Sequence, residues 1–158
     1  MAAWKIDQID KKILEVLQRE GRKKRNMLAE EVKLSLPSVS ERLRKLEANG
    51  VIRGYGALVD QHKVGLDLTA FIFVISESSS HYAEIVERAM MHEEIMECHA
   101  VTGQGSHLLK VRTRNTASLE KILSQIQQWP GVKNTITDIV LSSPKESMAV
   151  SLKHLPQK

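Results

Sequence analysis

The stretch that decides the fold is NMLAEEVKLSLPSVSERLRKLEANGVI, residues 26–52. In its second half, apolar side chains recur at spacings of three, four and three, which is one face of a 3.6-residue helical period. They are Leu36, Val39, Leu43 and Leu46. Ser35 is suited to cap this helix, Pro37 to its first turn, and Gly50 to the left-handed residue that ends it. We therefore predict a helix between Ser35 and Gly50.

A shorter helix is predicted directly before it. Leu28, Ala29 and Val32 form its buried face, and Lys33 and Leu34 provide the turn between the two helices. A short helix, a tight turn and a longer helix that ends in basic residues form the layout of a helix-turn-helix, whose second helix lies in the major groove of DNA. The sequence thus favours a DNA-binding unit.

The segments on either side extend this unit. Residues 7–19 predict a further helix that is capped by Asp7 and braces the pair. A cationic run follows it, consisting of Arg22, Lys23, Lys24 and Arg25. Such a run is often only a solvated loop, but its position here favours phosphate contacts. Residues 51–60 are predicted to be extended, as a small wing that brings Arg53 beside the duplex backbone.

The excess positive charge lies in the same part of the chain. Residues 1–60 contain 13 Lys and Arg and 9 Asp and Glu, a net charge of +4, whereas residues 61–158 contain 10 of each kind. A phosphate-binding surface requires this distribution, although a merely soluble basic face would also show it. Because the charge balance changes near residue 62, we predict one domain over residues 1–61 and a second over residues 62–158.

The second domain alternates strand and helix signals. A β-branched run, LTAFIFVI (residues 68–75), predicts a buried strand, and the following segments predict helix, strand, strand, helix and strand. The order β-α-β-β-α-β is typical of a ferredoxin-like sandwich, in which a four-stranded antiparallel sheet carries two helices on one face. Residues 148–152 are a candidate edge strand.

Three of these segments together resemble the Lrp/AsnC family of feast/famine transcription regulators. They are DQIDKKILEVLQREGR (residues 7–22), LAEEVKLSLPSVSERLRKLEANGVIRGYGALVD (residues 28–60) and VTGQGSHLLKV (residues 101–111). The resemblance implies an α+β chain, with a winged helix-turn-helix domain followed by a ferredoxin-like βαββαβ regulatory domain, known as a RAM domain. It implies a regulator without enzyme activity or cofactor. Its expected partners are double-stranded DNA, a small-molecule effector (an amino acid), and further copies of itself as a homodimer assembling to a tetramer or octamer.

Five side chains of the predicted reading helix have the reach to contact base edges: Ser38, Ser40, Glu41, Arg44 and Lys45. Most of the affinity is expected from Arg44, Lys45, Arg53 and the cationic run. Arg42 matches an arginine strongly associated with the family motif; it either contacts DNA or pairs with a carboxylate inside the unit. Lys33 occupies a turn position that is commonly glycine in the family.

The third segment implies an effector site. In the family this loop and the last strand form an amino-acid pocket between subunits, which here gives Thr102, Gly103, Gly105, Ser106, His107, Thr135 and Thr137. Gly103 matches a family glycine, whereas Gly105 and Ser106 stand where an aromatic residue and an aspartate are usual. Gly105 is therefore expected to open space. Since that aspartate would hold the ammonium group, the effector is not a simple α-amino acid, binds weakly, or uses another carboxylate such as Glu97.

Two other functions are open on sequence alone. Some siroheme decarboxylases resemble this family and use histidine and arginine in the second domain; the candidates here are His99, His107 and Arg112. The other is an architectural DNA binder that senses no effector. A metal or nucleophilic site at Cys98 and His99 is disfavoured, because consecutive strand residues point to opposite faces.

The cysteine content and the lengths of the apolar runs indicate the cellular compartment. Cys98 is the only cysteine, so no disulfide can form within the chain and a reducing compartment is expected. No apolar run approaches the ~20 residues of a membrane span, and residues 1–12 lack the apolar core of a signal peptide. A soluble cytoplasmic protein that does not engage membranes is expected.

Overall fold

The computed structural model describes residues 5–155, which divide into two compact units. The first unit comprises the residues up to Leu58 together with those from Lys145 onward, and the second comprises Val59–Pro144. Helices alone precede a β-α-β-β-α-β order, which confirms the predicted α+β fold class. Within residues 5–155, no helix combines the length and apolarity needed to cross a membrane. Residues 1–4, on which the expectation about a signal peptide partly rests, lie outside this range.

Three helices build the first unit: α1 (Gln8–Arg19), α2 (Arg25–Val32) and α3 (Leu36–Ala48). Asp7 caps α1, since its carboxylate accepts from the backbone N–H of Asp10 at 2.8 Å, while the Asp10 carboxylate accepts from the N–H of Asp7 at 3.2 Å. Ser35 caps α3 by accepting from the N–H of Ser38 at 3.3 Å. Gly50 follows α3 at φ +68°, as the helix-ending position requires.

The core of this unit comes from all three helices. Its buried apolar side chains are Ile13, Leu14, Val16, Leu28, Ala29, Val32, Val39, Leu43 and Leu46. Leu36, which the sequence placed in the buried stripe, is 47% exposed. It is the first residue of α3 and lies a turn before the packed part of the helix, so the buried face begins at Val39.

The segment predicted to be a small extended wing pairs with no strand among the described residues. Residues 51–60 form no strand with any part of residues 5–155, and Leu58 is 85% exposed. A strand needs a partner for its backbone groups, and the described chain supplies none here. The N–H groups of Val51 and Ile52 donate to the Leu46 carbonyl at 2.9 and 3.1 Å, and the Tyr55 hydroxyl donates to Glu47 Oε1 at 2.9 Å, so the start of the segment is held to α3.

The last residues belong with the helices and not with the sheet. The Gln18 amide binds both backbone groups of Val150, with Nε2 donating to its carbonyl at 3.2 Å and Oε1 accepting from its N–H at 2.7 Å. Leu152 packs against the helical core. The predicted edge strand at residues 148–152 is thus wrong, because Gln18 of α1 satisfies the backbone groups of Val150 that a sheet edge would have paired. The assignment of residues 62–158 to one domain stays a prediction, although residues 145–155 cluster with the helices.

The second unit is a single four-stranded sheet with two helices. Its elements are β1 (Leu68–Ser76), α4 (Tyr82–Met91), β2 (Ile95–Ala100), β3 (His107–Thr113), α5 (Thr116–Ile126) and β4 (Val132–Ile139). The strand order is β2-β3-β1-β4, and all the pairs are antiparallel. Asn115 caps α5 by accepting from the N–H of Ser118 at 3.0 Å. This is the predicted ferredoxin-like sandwich.

The two faces of the sheet differ sharply. Ala70, Ile72 and Val74 of β1 pack with the apolar residues of α4 and α5, so both helices cover one face. The alternating residues Phe71 and Phe73 point to the other face, which we call the open face. The open face also carries Leu108, which lies opposite Phe73 on β3, and Ile136, which lies opposite Phe73 on β4.

Lys33 ends α2 at φ +57°, the only positive φ of a non-glycine residue among residues 5–155. We expect Lys33→Gly to raise the free energy of unfolding by about 1 kcal/mol, because the left-handed conformation penalises a side chain more than the added flexibility of glycine costs. Urea denaturation followed by circular dichroism measures this change. Lys33→Ala is the control, since alanine keeps the Cβ atom; an equal gain in both variants would contradict the explanation.

Candidate nucleic-acid interface and effector site

The outward face of α3 presents most of the predicted base-reading residues. Ser38, Glu41, Arg44 and Lys45 are exposed, on the side of the helix away from Val39, Leu43 and Leu46, while Ser40 is half-buried at the edge of that face. A helix with one apolar face and one exposed basic face can pack on its own unit and still enter a DNA groove.

Glu41 holds the two cations of this face. Its carboxylate accepts from Arg44 Nε at 2.9 Å and from Arg44 Nη2 at 2.8 Å, and Lys45 Nζ lies 3.5 Å from Oε1. The hydrogen bonds from Arg44, with help from the charge of Lys45 and against a small effect of burial, lower the pKa of Glu41 from 4.5 to about 2. Glu41 is therefore ionised at neutral pH.

Arg42 pairs with two carboxylates inside the unit, as the second of the two predicted alternatives describes. Its Nη1 lies 2.7 Å from Asp7 Oδ2 and 2.7 Å from Asp10 Oδ1. Asp10 is only 4% exposed, so the pair ties α3 to the buried start of α1. Burial raises the pKa of Asp7, but the Asp10 N–H and the Arg42 guanidinium outweigh this and lower it overall. The DNA contact of Arg42 stays a prediction, and it would have to form beside this internal pairing.

The four residues of the cationic run differ in exposure: Lys23 is bound within the unit, and the other three are exposed. Lys23 Nζ lies 2.5 Å from Glu31 Oε2 and 3.3 Å from Glu20 Oε2, and its side chain is largely covered. The Glu31 hydrogen bond raises the pKa of Lys23 against the effect of burial. Lys23 is thus engaged within the unit, and its predicted phosphate contact would compete with these two ion pairs. The exposed cations here are Arg22, Lys24, Arg25 and, beyond α3, Arg53.

The predicted effector loop joins β2 to β3 and rests on β1. Thr102 and Gly103 are exposed, and Gly103 has φ +113°. Ser106 is anchored twice to the Val74 carbonyl, through its N–H at 2.9 Å and its hydroxyl at 3.2 Å. A Cβ atom on Gly105 would lie 2.8 Å from the same carbonyl oxygen. Gly105 therefore does not open space as predicted; it permits the loop backbone to lie directly against β1.

His107 lies below this loop, on the helix-covered face. It is 1% exposed, its Nδ1 lies 2.9 Å from Ser106 Oγ, and its ring packs edge-on against Tyr82 with centroids 5.0 Å apart. Burial lowers the pKa of His107. In this structure the imidazole is packed and neutral. Tyr82 covers it, so a ligand cannot reach it.

The two predicted threonines share that face. Val74 pairs with His107 on one side and with Thr135 on the other, so these three residues form one row across β3, β1 and β4. Gln127 Nε2 donates to Thr135 Oγ1 at 3.3 Å. Thr137 is in the next row, opposite Ile72. The structure thus places Ser106, His107 and Thr135 at one level of the sheet.

The candidate enzyme residues do not converge. His99 lies opposite Leu108, and Arg112 opposite Thr69, which places both on the open face, whereas His107 faces the helices. Cys98 also faces the helices, and its pKa is raised by burial. Cys98 and His99 therefore point to opposite faces, as predicted. Among residues 5–155, no three His, Cys, Asp or Glu side chains meet as metal ligands would.

Glu97 is not available to the loop. Its carboxylate lies 3.1 Å from His99 Nε2 and 3.2 Å from Lys110 Nζ. These contacts, of which the His99 hydrogen bond is the stronger, lower the pKa of Glu97 against the effect of burial. Since Glu97 pairs with Lys110 on the open face, it lies on the other side of the sheet from His107.

Tyr82 is the residue of this region that sequence reasoning missed. Its helical spacing suggested only a core position on α4. Its ring instead closes the space over His107. Only the register that places His107 on the helix-covered face could have indicated this pairing.

Both units match family models of known proteins. A family model described as the Lrp/AsnC ligand binding domain matches residues 69–150, and one described as winged helix-turn-helix DNA-binding matches residues 6–53. The chain is 34% identical over 148 residues to the HTH-type transcriptional regulator FL11 of Pyrococcus abyssi, covering 94% of this chain and 97% of that protein. It is 34% identical over 151 residues to the leucine-responsive regulatory protein of Escherichia coli K12, covering 94% and 92%.

Solved structures agree with this. A transcriptional regulator of Neisseria meningitidis, crystallised as a complex with L-methionine, superposes with a TM-score of 0.90 at 31% identity and covers 95% of this chain and 99% of that one. AsnC of Escherichia coli superposes with a TM-score of 0.85 at 29% identity, covering 91% and 97%.

Proposed function

Because this chain belongs to the Lrp/AsnC family of DNA-binding transcriptional regulators, we propose that it reads a palindromic operator as a homodimer and responds to an amino acid. The observation that carries the proposal is α3, a capped helix with three buried apolar residues and an exposed face that bears Arg44 and Lys45. Ser38, Arg44 and Lys45 contact base edges in the major groove, and Arg22, Lys24, Arg25 and Arg53 contact phosphates.

A dimer is required because one helix-turn-helix offers too little contact area with DNA, and too little discrimination between sequences, to bind one specific site. The open face of the sheet supports it, since Phe71, Phe73, Leu108 and Ile136 form an apolar strip that the helices leave uncovered. Burying such a strip against a second copy gives a two-fold interface. Two dimers then associate to a tetramer, or four dimers to an octamer, as the family resemblance implies.

The effector site is proposed at the loop of residues 102–107 and the adjoining end of β4. The Neisseria regulator binds L-methionine, so an amino acid with an apolar side chain is the first candidate for this chain. Ser106 is already bound to Val74 and His107, so exposed backbone groups around Thr102 and Gly103 hold the polar end of the ligand. Binding shifts the assembly only by its differential affinity for the alternative states.

An enzyme function is disfavoured by geometry and by the relatives. His99 and Arg112 are separated from His107 by the thickness of the sheet, so the residues expected of a decarboxylase face two different environments. The relatives that cover nearly the whole chain are named as transcriptional regulators.

A mobility-shift titration tests DNA binding. The duplex upstream of the chain's own coding region is compared with a random-sequence duplex across salt concentrations. We expect a shift that weakens steeply with salt, since released counterions dominate the affinity. A folded, dimeric protein that shifts neither duplex in dilute buffer would contradict the proposal.

We further expect one or a few amino acids to raise the melting temperature, because a ligand that binds only the native state stabilises it. At a concentration 100 times Kd the expected gain is about 2.7 kcal/mol. A panel of twenty amino acids, with mass measured in parallel, identifies the effector and any change of assembly. If none of them moves the transition, amino-acid sensing is wrong and an effector-independent DNA binder takes its place.

A further inference from the structure

The Glu41 carboxylate lies on the surface where a negative charge would weaken DNA binding most. It is exposed on α3, one turn before Arg44 and Lys45, on the face proposed to enter the groove. Exposed pairs at this spacing contribute little to helix stability. Stability is therefore a weak reason for a carboxylate here, whereas its repulsion of phosphates is a direct cost to DNA affinity.

The geometry of the pair shows what the carboxylate does to Arg44. Glu41 accepts from Nε and from Nη2, so it occupies the side edge of the guanidinium. A guanidinium has five N–H donors; Glu41 takes two of them, and the edge formed by the two terminal nitrogens still presents two parallel donors. That end edge is the one suited to a bidentate contact with the O6 and N7 atoms of guanine.

The same contact cancels charge. Glu41 is ionised and offsets the positive charge that Arg44 and Lys45 would otherwise present to any phosphate. An arginine that is fixed in direction and neutralised in charge attracts non-specific duplex weakly, but it still fits a correctly placed guanine.

We propose that Glu41 is a specificity-determining residue, which holds Arg44 as a guanine reader and suppresses its binding to phosphate. The inference rests on the proposed function and concerns the same surface. Glu41 lowers the affinity for random DNA more than the affinity for the operator, and so widens the ratio between them.

The test is Glu41→Gln in the full chain, which keeps an amide oxygen near Arg44 and removes the charge. Two probes are used: a random-sequence duplex pool, and a duplex selected from that pool by the wild-type protein. We expect the variant to bind the random pool about fivefold more tightly, with a log–log salt slope steeper by about 0.9 for each additional phosphate contacted. Its ratio of selected to random affinity falls correspondingly.

Glu30→Gln is the matched control, because it removes one exposed carboxylate from the neighbouring helix α2. We expect it to change random-pool binding by less than about twofold, because the ion pairs of Arg44 and Lys45 are made with Glu41 and not with Glu30. Equal effects of the two variants, or an unchanged affinity ratio in Glu41→Gln, would overturn the inference. A wild-type protein that neither binds the random pool nor enriches any duplex from it contradicts the proposed function itself, so the two failures are distinguishable.

Discussion

Replacing Arg44 by alanine is expected to weaken operator binding about 10- to 100-fold, the loss that follows removal of a bidentate guanine contact. The variant also leaves Glu41 exposed without its principal partner, as a bare negative charge on the reading helix. Loss of the guanine contact acts on the specific complex, whereas the unpaired Glu41 charge weakens binding to any duplex. A titration of the selected duplex and of the random pool measures them separately.

Arg114→Ala is the control for Arg44→Ala, since it removes one exposed arginine from the second unit. It should leave both affinities nearly unchanged. If Arg44→Ala weakens binding to the two probes by the same factor, then Arg44 contacts phosphate only and the base-reading role is wrong.

Replacing Arg42 by alanine is expected to lower the free energy of unfolding by about 3 kcal/mol, because it leaves the buried Asp10 carboxylate without its counter-charge. The distances of 2.7 Å to Asp7 and to Asp10 show that this pairing is tight. Urea denaturation gives the change. Exposed Arg44 provides the comparison, since Arg44→Ala removes the same group at little cost to folding.

The Arg42 pairing also predicts a dependence on pH. The folded pKa of Asp7 is below its ordinary value of 3.8, so the contribution of Asp7 to stability is full above that value and is lost as the pH falls through the folded pKa. The stability difference between wild type and Arg42→Ala should therefore narrow below about pH 4. A difference that stays constant from pH 7 to pH 2 would show that Arg42 acts through packing alone.

The regular elements could be predicted from the sequence because their signals are local. Ser35 and Gly50 mark the two ends of α3, and the apolar run of β1 stands out without reference to any other segment. The order of strands and helices then permits few arrangements. This is why the helix-turn-helix and the ferredoxin-like sheet were both anticipated.

Other features depend on partners that are distant in sequence. Glu20, three residues earlier, is a local partner of Lys23, but the second partner, Glu31, meets it only once α2 has formed. Gly105 was expected to make room, and only its contact with the Val74 carbonyl shows that it does the opposite. Val150 lies in a strand-like run, and its actual partner is Gln18, 132 residues earlier.

The docking of the last residues has a consequence for how this chain could have evolved. Residues 5–58 and residues 145–155 both contribute to the helical unit, so the sheet unit is inserted between two segments of it. Recombination that exchanged the sheet unit for another would have to cross over at two points to leave the helical unit whole. A single crossover near Leu58 would remove Val150, the partner of Gln18, and Leu152, which packs against the helical core.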